Sequence, residues 1–102
     1  MSLKIAGYEF AGPFSDVAWL EDRSGVYAVL DLRGGEYYVV DVGESATVRT
    51  RVATHDRRPC WNRNVRGELR YAAHYTPYSQ QPGRMAIEQE IRRQFNPPCG
   101  QR

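Results

Sequence analysis

Lysine is almost missing from this chain: of fourteen basic side chains only Lys4 is a lysine, and the other thirteen are arginine. Positive charge therefore sits on planar, forked guanidinium groups, which suit phosphate oxygens, although a skewed genome composition leaves the same mark. The excess of cations over anions is only +2, which is no strong nucleic-acid signature by itself. Cysteine is scarce too. Cys60 and Cys99 stand alone without CxxC spacing, so a reduced, cytoplasmic protein is the expectation. Grouped with His55 and His74, they match no closed zinc-site spacing. No apolar run reaches the length of a membrane span. The opening MSLKIAGYEF lacks a basic region followed by an apolar one, so the chain reads as soluble, unexported and without a membrane partner. At 102 residues it reads as one domain with room for a modest core, needing neither disulfide nor metal staples.

What is present concentrates between Gly25 and His55. Val26, Ala28, Leu30 and Leu32 alternate with Tyr27, Val29 and Asp31, and Tyr38, Val40 and Val42 alternate with Tyr37, Val39 and Asp41, which predicts two strands. Their connection offers two registers: a Gly34-Gly35 turn pairs Leu32 with Tyr37, and a three-residue loop Arg33-Gly34-Gly35 pairs Leu32 with Glu36. Only the three-residue loop leaves one face apolar from Val26 to Val42, and it sets Tyr27 opposite Asp41 on a polar face. After Gly43, Ser45 is a cap for a helix that buries Val48 and Val52, with Arg51 and His55 stacked beside that stripe.

Flanking segments follow from the same rules. In residues 1–24, an N-terminal extension, Lys4 to Phe10 reads as an edge strand broken by Gly12-Pro13. Ser15 then caps a short helix, Asp16 to Asp22, with Trp19 partly covered. Between Asp56 and Arg66, the arginines Arg57, Arg58, Arg63 and Arg66 are interleaved with Trp61, a pattern that suits phosphate contact with one ring stacking on a base. Leu69 to Tyr75 alternates as a third strand. Arg84 to Phe95 reads as a helix with the stripe Ile87, Ile91 and Phe95, stopped by Asn96 and two prolines, with Glu88 flanked by Arg84 and Arg92.

Gly25-Val26-Tyr27, then Asp41-Val42-Gly43, Arg51, His55, Ile87-Glu88 and Asn96-Pro97-Pro98 occur in that order. The set resembles the GIY-YIG nuclease domain of homing endonucleases, some restriction enzymes and the excision-repair nuclease. The resemblance spans residues 25–98. It implies an α+β domain whose small three-stranded, mainly antiparallel sheet is flanked by helices, with Tyr27, Arg51, His55 and Glu88 meeting in one cleft. Two positions depart from the pattern: Asp41 stands at the tyrosine of the second motif, and Cys99-Gly100 follow the prolines.

The resemblance implies phosphodiester hydrolysis in nucleic acid, DNA before RNA. Tyr27 and His55 handle the attacking water, Arg51 stabilises the phosphate, and Glu88 holds one Mg²⁺ or Mn²⁺. Asp41 is read either as a group that orients Tyr27 and joins the catalytic set, or as a charge that repels phosphate and disables the site. Two other readings stand beside this one: an inert relative that binds nucleic acid without cutting it, and a small module whose arginines meet an acidic protein. Without a targeting module in the sequence, specificity is expected from a protein partner or a homodimer.

Overall fold

In the computed structural model, which describes residues 1–100, the chain begins with strands β1 (Ser2–Ile5) and β2 (Tyr8–Phe14) and one 3₁₀ turn, Val17–Trp19. Strands β3 (Gly25–Arg33) and β4 (Glu36–Ser45), helices α1 (Val48–Ala53) and α2 (Arg58–Asn64), strand β5 (Glu68–Tyr75) and helix α3 (Gln81–Phe95) follow. The strands form one antiparallel sheet in the order β1-β2-β5-β3-β4. The class is α+β as expected, with five strands where the sequence suggested three.

Both additional strands come from residues 1–24, which are thus part of the sheet. Ala6 and Gly7, at φ 54° and 85°, turn β1 into β2. β2 runs through Gly12-Pro13 instead of breaking there, because its pairing with β5 shifts register between Ala11 and Phe14 and leaves the proline without a ladder partner to satisfy. The expected helix Asp16 to Asp22 shrinks to the 3₁₀ turn, capped by Asp16, not Ser15. Its Trp19 is 69% exposed.

The β3–β4 turn corrects the expected register. Arg33 pairs with Glu36 and Leu32 with Tyr37, so the turn is the two-residue Gly34-Gly35, at φ 59° and 79°. A bulge then inserts Val40 between the pairs Leu30↔Val39 and Val29↔Asp41. The extra residue restores the parity that the shorter turn removed. Tyr27 and Asp41 therefore share a face as expected, but Tyr27 lies opposite Gly43 and Asp41 opposite Val29.

That shared face is a second core, not a polar surface. Tyr27, Val29, Val40, Tyr71 and Ala73 are buried there under Val48 and Val52 of α1 and Trp61 of α2. On the opposite face Val26, Ala28, Leu30, Val42 and Ala72 are buried with Ile91 of α3. With both faces covered, β3 is buried from Gly25 to Asp31. Asp31 is accommodated because it accepts the backbone N–H groups of Arg66 (3.1 Å) and Gly67 (2.9 Å), tying down the entry to β5. The helical stripe on α3 is shorter than expected, since Phe95 is 45% exposed at the helix end.

β4 is the edge strand, and the tail after α3 runs along it: the Cys99 N–H donates to the Val40 carbonyl at 3.1 Å. Cys99 forms a disulfide with Cys60 of α2, which corrects the expectation of reduced thiols. The two cysteines are 39 positions apart, and only the return of the chain from α3 across β4 brings them together.

Candidate functional site

Tyr27 can reach the sheet edge because its partner across the ladder is glycine. A Cβ on Gly43 would overlap the Tyr27 phenol oxygen and lie 2.9 Å from ring atom Cε2. The ring therefore lies over the β4 backbone with its hydroxyl pointing towards the end of α1. There His55, just beyond the helix and buried, places Nε2 at 2.7 Å from the Tyr27 oxygen.

The tautomer of His55 follows from its other nitrogen. The backbone N–H of Arg57 points at Nδ1 from 3.0 Å, so Nδ1 accepts and Nε2–H donates to Tyr27. Asp56 also lies 3.1 Å from Nδ1, a contact that would favour a charged ring. The backbone donor is fixed, whereas the Asp56 side chain is 79% exposed and free to turn away, so the neutral tautomer is the consistent one. Burial, and then the charges of Arg57 and Arg51, push the His55 imidazole down to about 4. Burial pushes the Tyr27 phenol up to about 12, with Arg57 opposing it and Asp41 adding to it. At neutral pH both groups are uncharged.

Asp41, fully buried, is the hub of a separate network. Its Oδ2 accepts from Arg57 Nε at 2.7 Å and Trp61 Nε1 at 2.8 Å, and its Oδ1 from Arg92 Nη2 at 2.8 Å and its neighbour's Val42 N–H at 2.8 Å. The expected bond between Asp41 and the phenol is absent, because the bulge displaces Asp41 by one ladder pair and Tyr27 turns to His55. Asp41 is thus enclosed by protein groups.

No family model matches this chain, and neither does any curated protein or solved structure. The resemblance to GIY-YIG nucleases therefore rests on the sequence motifs alone.

Of the four residues expected to converge, Tyr27 and His55 touch directly. Arg51 is half-buried at their margin, with Nη2 3.5 Å from Asp56. α3 covers the face opposite α1, yet Glu88 reaches the same edge. Glu88 Oε2 accepts from Arg92 Nε at 3.1 Å, and Arg92 wraps past β4 to Asp41. The charges of both Arg51 and Glu88 are felt at the Tyr27 phenol. Of the two flanking arginines, only Arg92 pairs with Glu88; Arg84 is buried and bonds Glu44 at 2.8 Å.

Among the described residues no group of three or more His, Cys, Asp and Glu is placed to hold a metal. A hard cation such as Mg²⁺ needs only one or two carboxylates, the rest of its shell being water and substrate oxygen. Glu88 is one carboxylate at this edge, and Arg92 Nε holds it at 3.1 Å.

Within the segment expected to contact phosphate, Arg58–Asn64 form the helix α2, with Pro59 in its first turn. Trp61 has no exposed surface, so it cannot stack on a base: packed beside His55 and Tyr71, it fills the core under α2. Arg63 and Arg66 are exposed, and Arg57 and Arg58 half-buried. Arg58 bonds the Val52 carbonyl at 3.1 Å. The sequence reading did not single out Arg92 as more than a salt-bridge partner of Glu88, nor the tail at Cys99-Gly100 as part of the site. The one available signal was the departure of Cys99-Gly100 from the pattern that the motifs resemble, beside that of Asp41.

Proposed function

We propose that the β4 edge beside Tyr27 and His55 binds a phosphodiester of nucleic acid, DNA in the first instance, and hydrolyses it with the help of Mg²⁺ or Mn²⁺. The observation that carries this reading is the 2.7 Å bond between Tyr27 and His55, two motif residues 28 positions apart, within range of the charges of Arg51 and Glu88. The phenol oxygen accepts the imidazole N–H and keeps a lone pair with which to orient a water. Arg51, partly exposed at the margin, meets the phosphate charge that grows during attack. A cation held by Glu88 supplies relief of charge on the leaving oxygen. Asp41 does not repel the substrate, because Arg57 and Arg92 offset its charge.

A second reading, an inert relative that binds without cutting, draws on the Arg92 bridge that occupies both Glu88 and Asp41. The two separate in one experiment. Branched, single-stranded and duplex substrates are incubated with wild type and Glu88→Gln in Mg²⁺ or Mn²⁺, and binding is measured at low and high salt. Cleavage by wild type alone supports the nuclease; salt-sensitive binding with no cleavage in any metal supports the inert relative.

A further inference from the structure

Three arginines approach the site, and their hydrogen bonds differ. Arg92 uses all three of its nitrogens: Nε is on Glu88, Nη1 on the Cys99 carbonyl, and Nη2 on Asp41 and the Val42 carbonyl. Arg51 is 41% exposed and held only by a long contact to the exposed Asp56. Arg57 is neither saturated nor loose. Its Nε and Nη2 grip the two oxygens of buried Asp41 at 2.7 and 3.4 Å, its backbone N–H fixes the His55 ring, and its side chain is 30% exposed. Nη1 has no hydrogen-bond partner among the described residues.

The geometry points to Arg57 as the pre-oriented guanidinium that contacts the substrate phosphate, with Asp41 as its positioning residue. This deepens the phosphodiester reading and rests on it. Arg57 and Arg92 together balance Asp41 and Glu88, so what sets Arg57 apart is its unused donor edge and its exposure. A carboxylate that holds Nε and one Nη leaves the remaining edge of the fork for a phosphate oxygen. The tail closes this arrangement from behind: a Cβ on Gly100 would lie 2.8 Å from Asp41 Oδ1 and 2.9 Å from Arg57 Cζ, so only a glycine packs there. Arg57 is also the first charge felt by both Tyr27 and His55, ahead of Arg51. The tyrosine of the second motif is thereby replaced by a carboxylate that recruits an arginine.

The test uses the full chain with a short single-stranded oligothymidylate as binding probe, ¹⁵N signals of the His55 ring as reporter, and Mn²⁺-dependent DNA cleavage as the second readout. Arg57→Gln should weaken oligothymidylate binding about tenfold and lower kcat about a hundredfold or more. Arg57→Lys should recover binding but not kcat, because an ammonium lacks the fork. Asp41→Asn should lower kcat more than it raises KM, with Arg57 present but less fixed. Should Asp41→Asn fail to fold, the half-exposed Arg57 pair of variants carries the test alone. Wild-type and Arg57→Gln chains that bind the probe equally, or a wild type whose His55 signals never respond to it, overturn the proposal. So does cleavage by Arg57→Gln within threefold of wild type, a result that leaves the nuclease reading standing. Loss of binding in Arg57→Gln with no cleavage by wild type has the opposite meaning: the arginine assignment holds and the nuclease reading falls.

Discussion

The Tyr27 phenol oxygen and the His55 Nε2 nitrogen, 2.7 Å apart, join the middle of the sheet to the end of the first helix. Each depends on a neighbour that offers little freedom. Tyr27 crosses β4 only because Gly43 has no side chain, and His55 holds one tautomer only because a backbone N–H of Arg57 faces its other nitrogen. Groups held this way would need no rearrangement to act in the proposed reaction.

Gly43→Ala should therefore damage the site through the Tyr27 ring that it faces. The added methyl collides with a ring that is 2% exposed and cannot swing aside. Overpacking of this kind costs about 1–3 kcal/mol, and the displaced phenol loses its bond to His55. Chemical denaturation and cleavage assays check it together. A Gly43→Ala protein with wild-type stability and activity would mean that the Tyr27 ring is not held as described.

The pH dependence of stability should carry two opposite slopes. His55 is held down to about 4 by burial and by Arg57 and Arg51, so between pH 6.5 and 4 the unfolded chain binds a proton that the folded chain refuses. Its contribution is complete above the ordinary value and is lost as pH falls to about 4. Tyr27 is pushed up to about 12, so the unfolded chain ionises first and stability falls as pH rises from about 10 to 12. Melting temperatures across pH, with the His55 ring followed by NMR, give the answer. Titration of His55 near 6.5 in the folded protein would refute the buried neutral ring.

Much of the fold was legible because it is local. Alternation marked β3, β4 and β5, Val48 and Val52 marked the buried side of α1, and Asn96 with two prolines marked the end of α3. The hairpin was misread at its turn, since a bulge at Val40 compensates for a shorter loop and leaves the same alternation in sequence. Trp61 was misassigned for a different reason. The next two residues, Asn62 and Arg63, are polar and exposed, while the indole fills the core and donates to Asp41. The partners of Asp41 are 16, 20 and 51 positions away, a distance over which no periodicity speaks.

The Cys60–Cys99 disulfide is expected to matter for stability. It closes a loop with a sequence separation of 39, for which the chain-entropy model gives about 4 kcal/mol. Denaturation midpoints should fall clearly in the presence of dithiothreitol, and a Cys60→Ala, Cys99→Ala double variant should match the reduced protein. The Arg92 bond to the Cys99 carbonyl links the tail to the site, so reduction should also lower cleavage. Identical midpoints with and without reductant would show that the bond is not formed in solution.

The sharpest prediction concerns Glu88, which lies buried on α3 with Arg92 one turn away. Glutamine at this position keeps an oxygen that can accept from Arg92 Nε, so the loss in stability should be small, about 1 kcal/mol. It removes the negative charge that a divalent cation requires while leaving Arg51, Arg57, Arg63 and Arg66 in place. Oligonucleotide binding should therefore stay near wild type, and metal-dependent cleavage should fall about a hundredfold or more. Calorimetric titration with Mn²⁺ separates the cause, since binding of the metal should weaken in Glu88→Gln and persist in Arg51→Ala. If Glu88→Gln cleaves as fast as wild type, Glu88 holds no metal. If wild type cleaves in excess chelator, the reaction needs none, and the charge on the leaving oxygen must be met by the arginines alone.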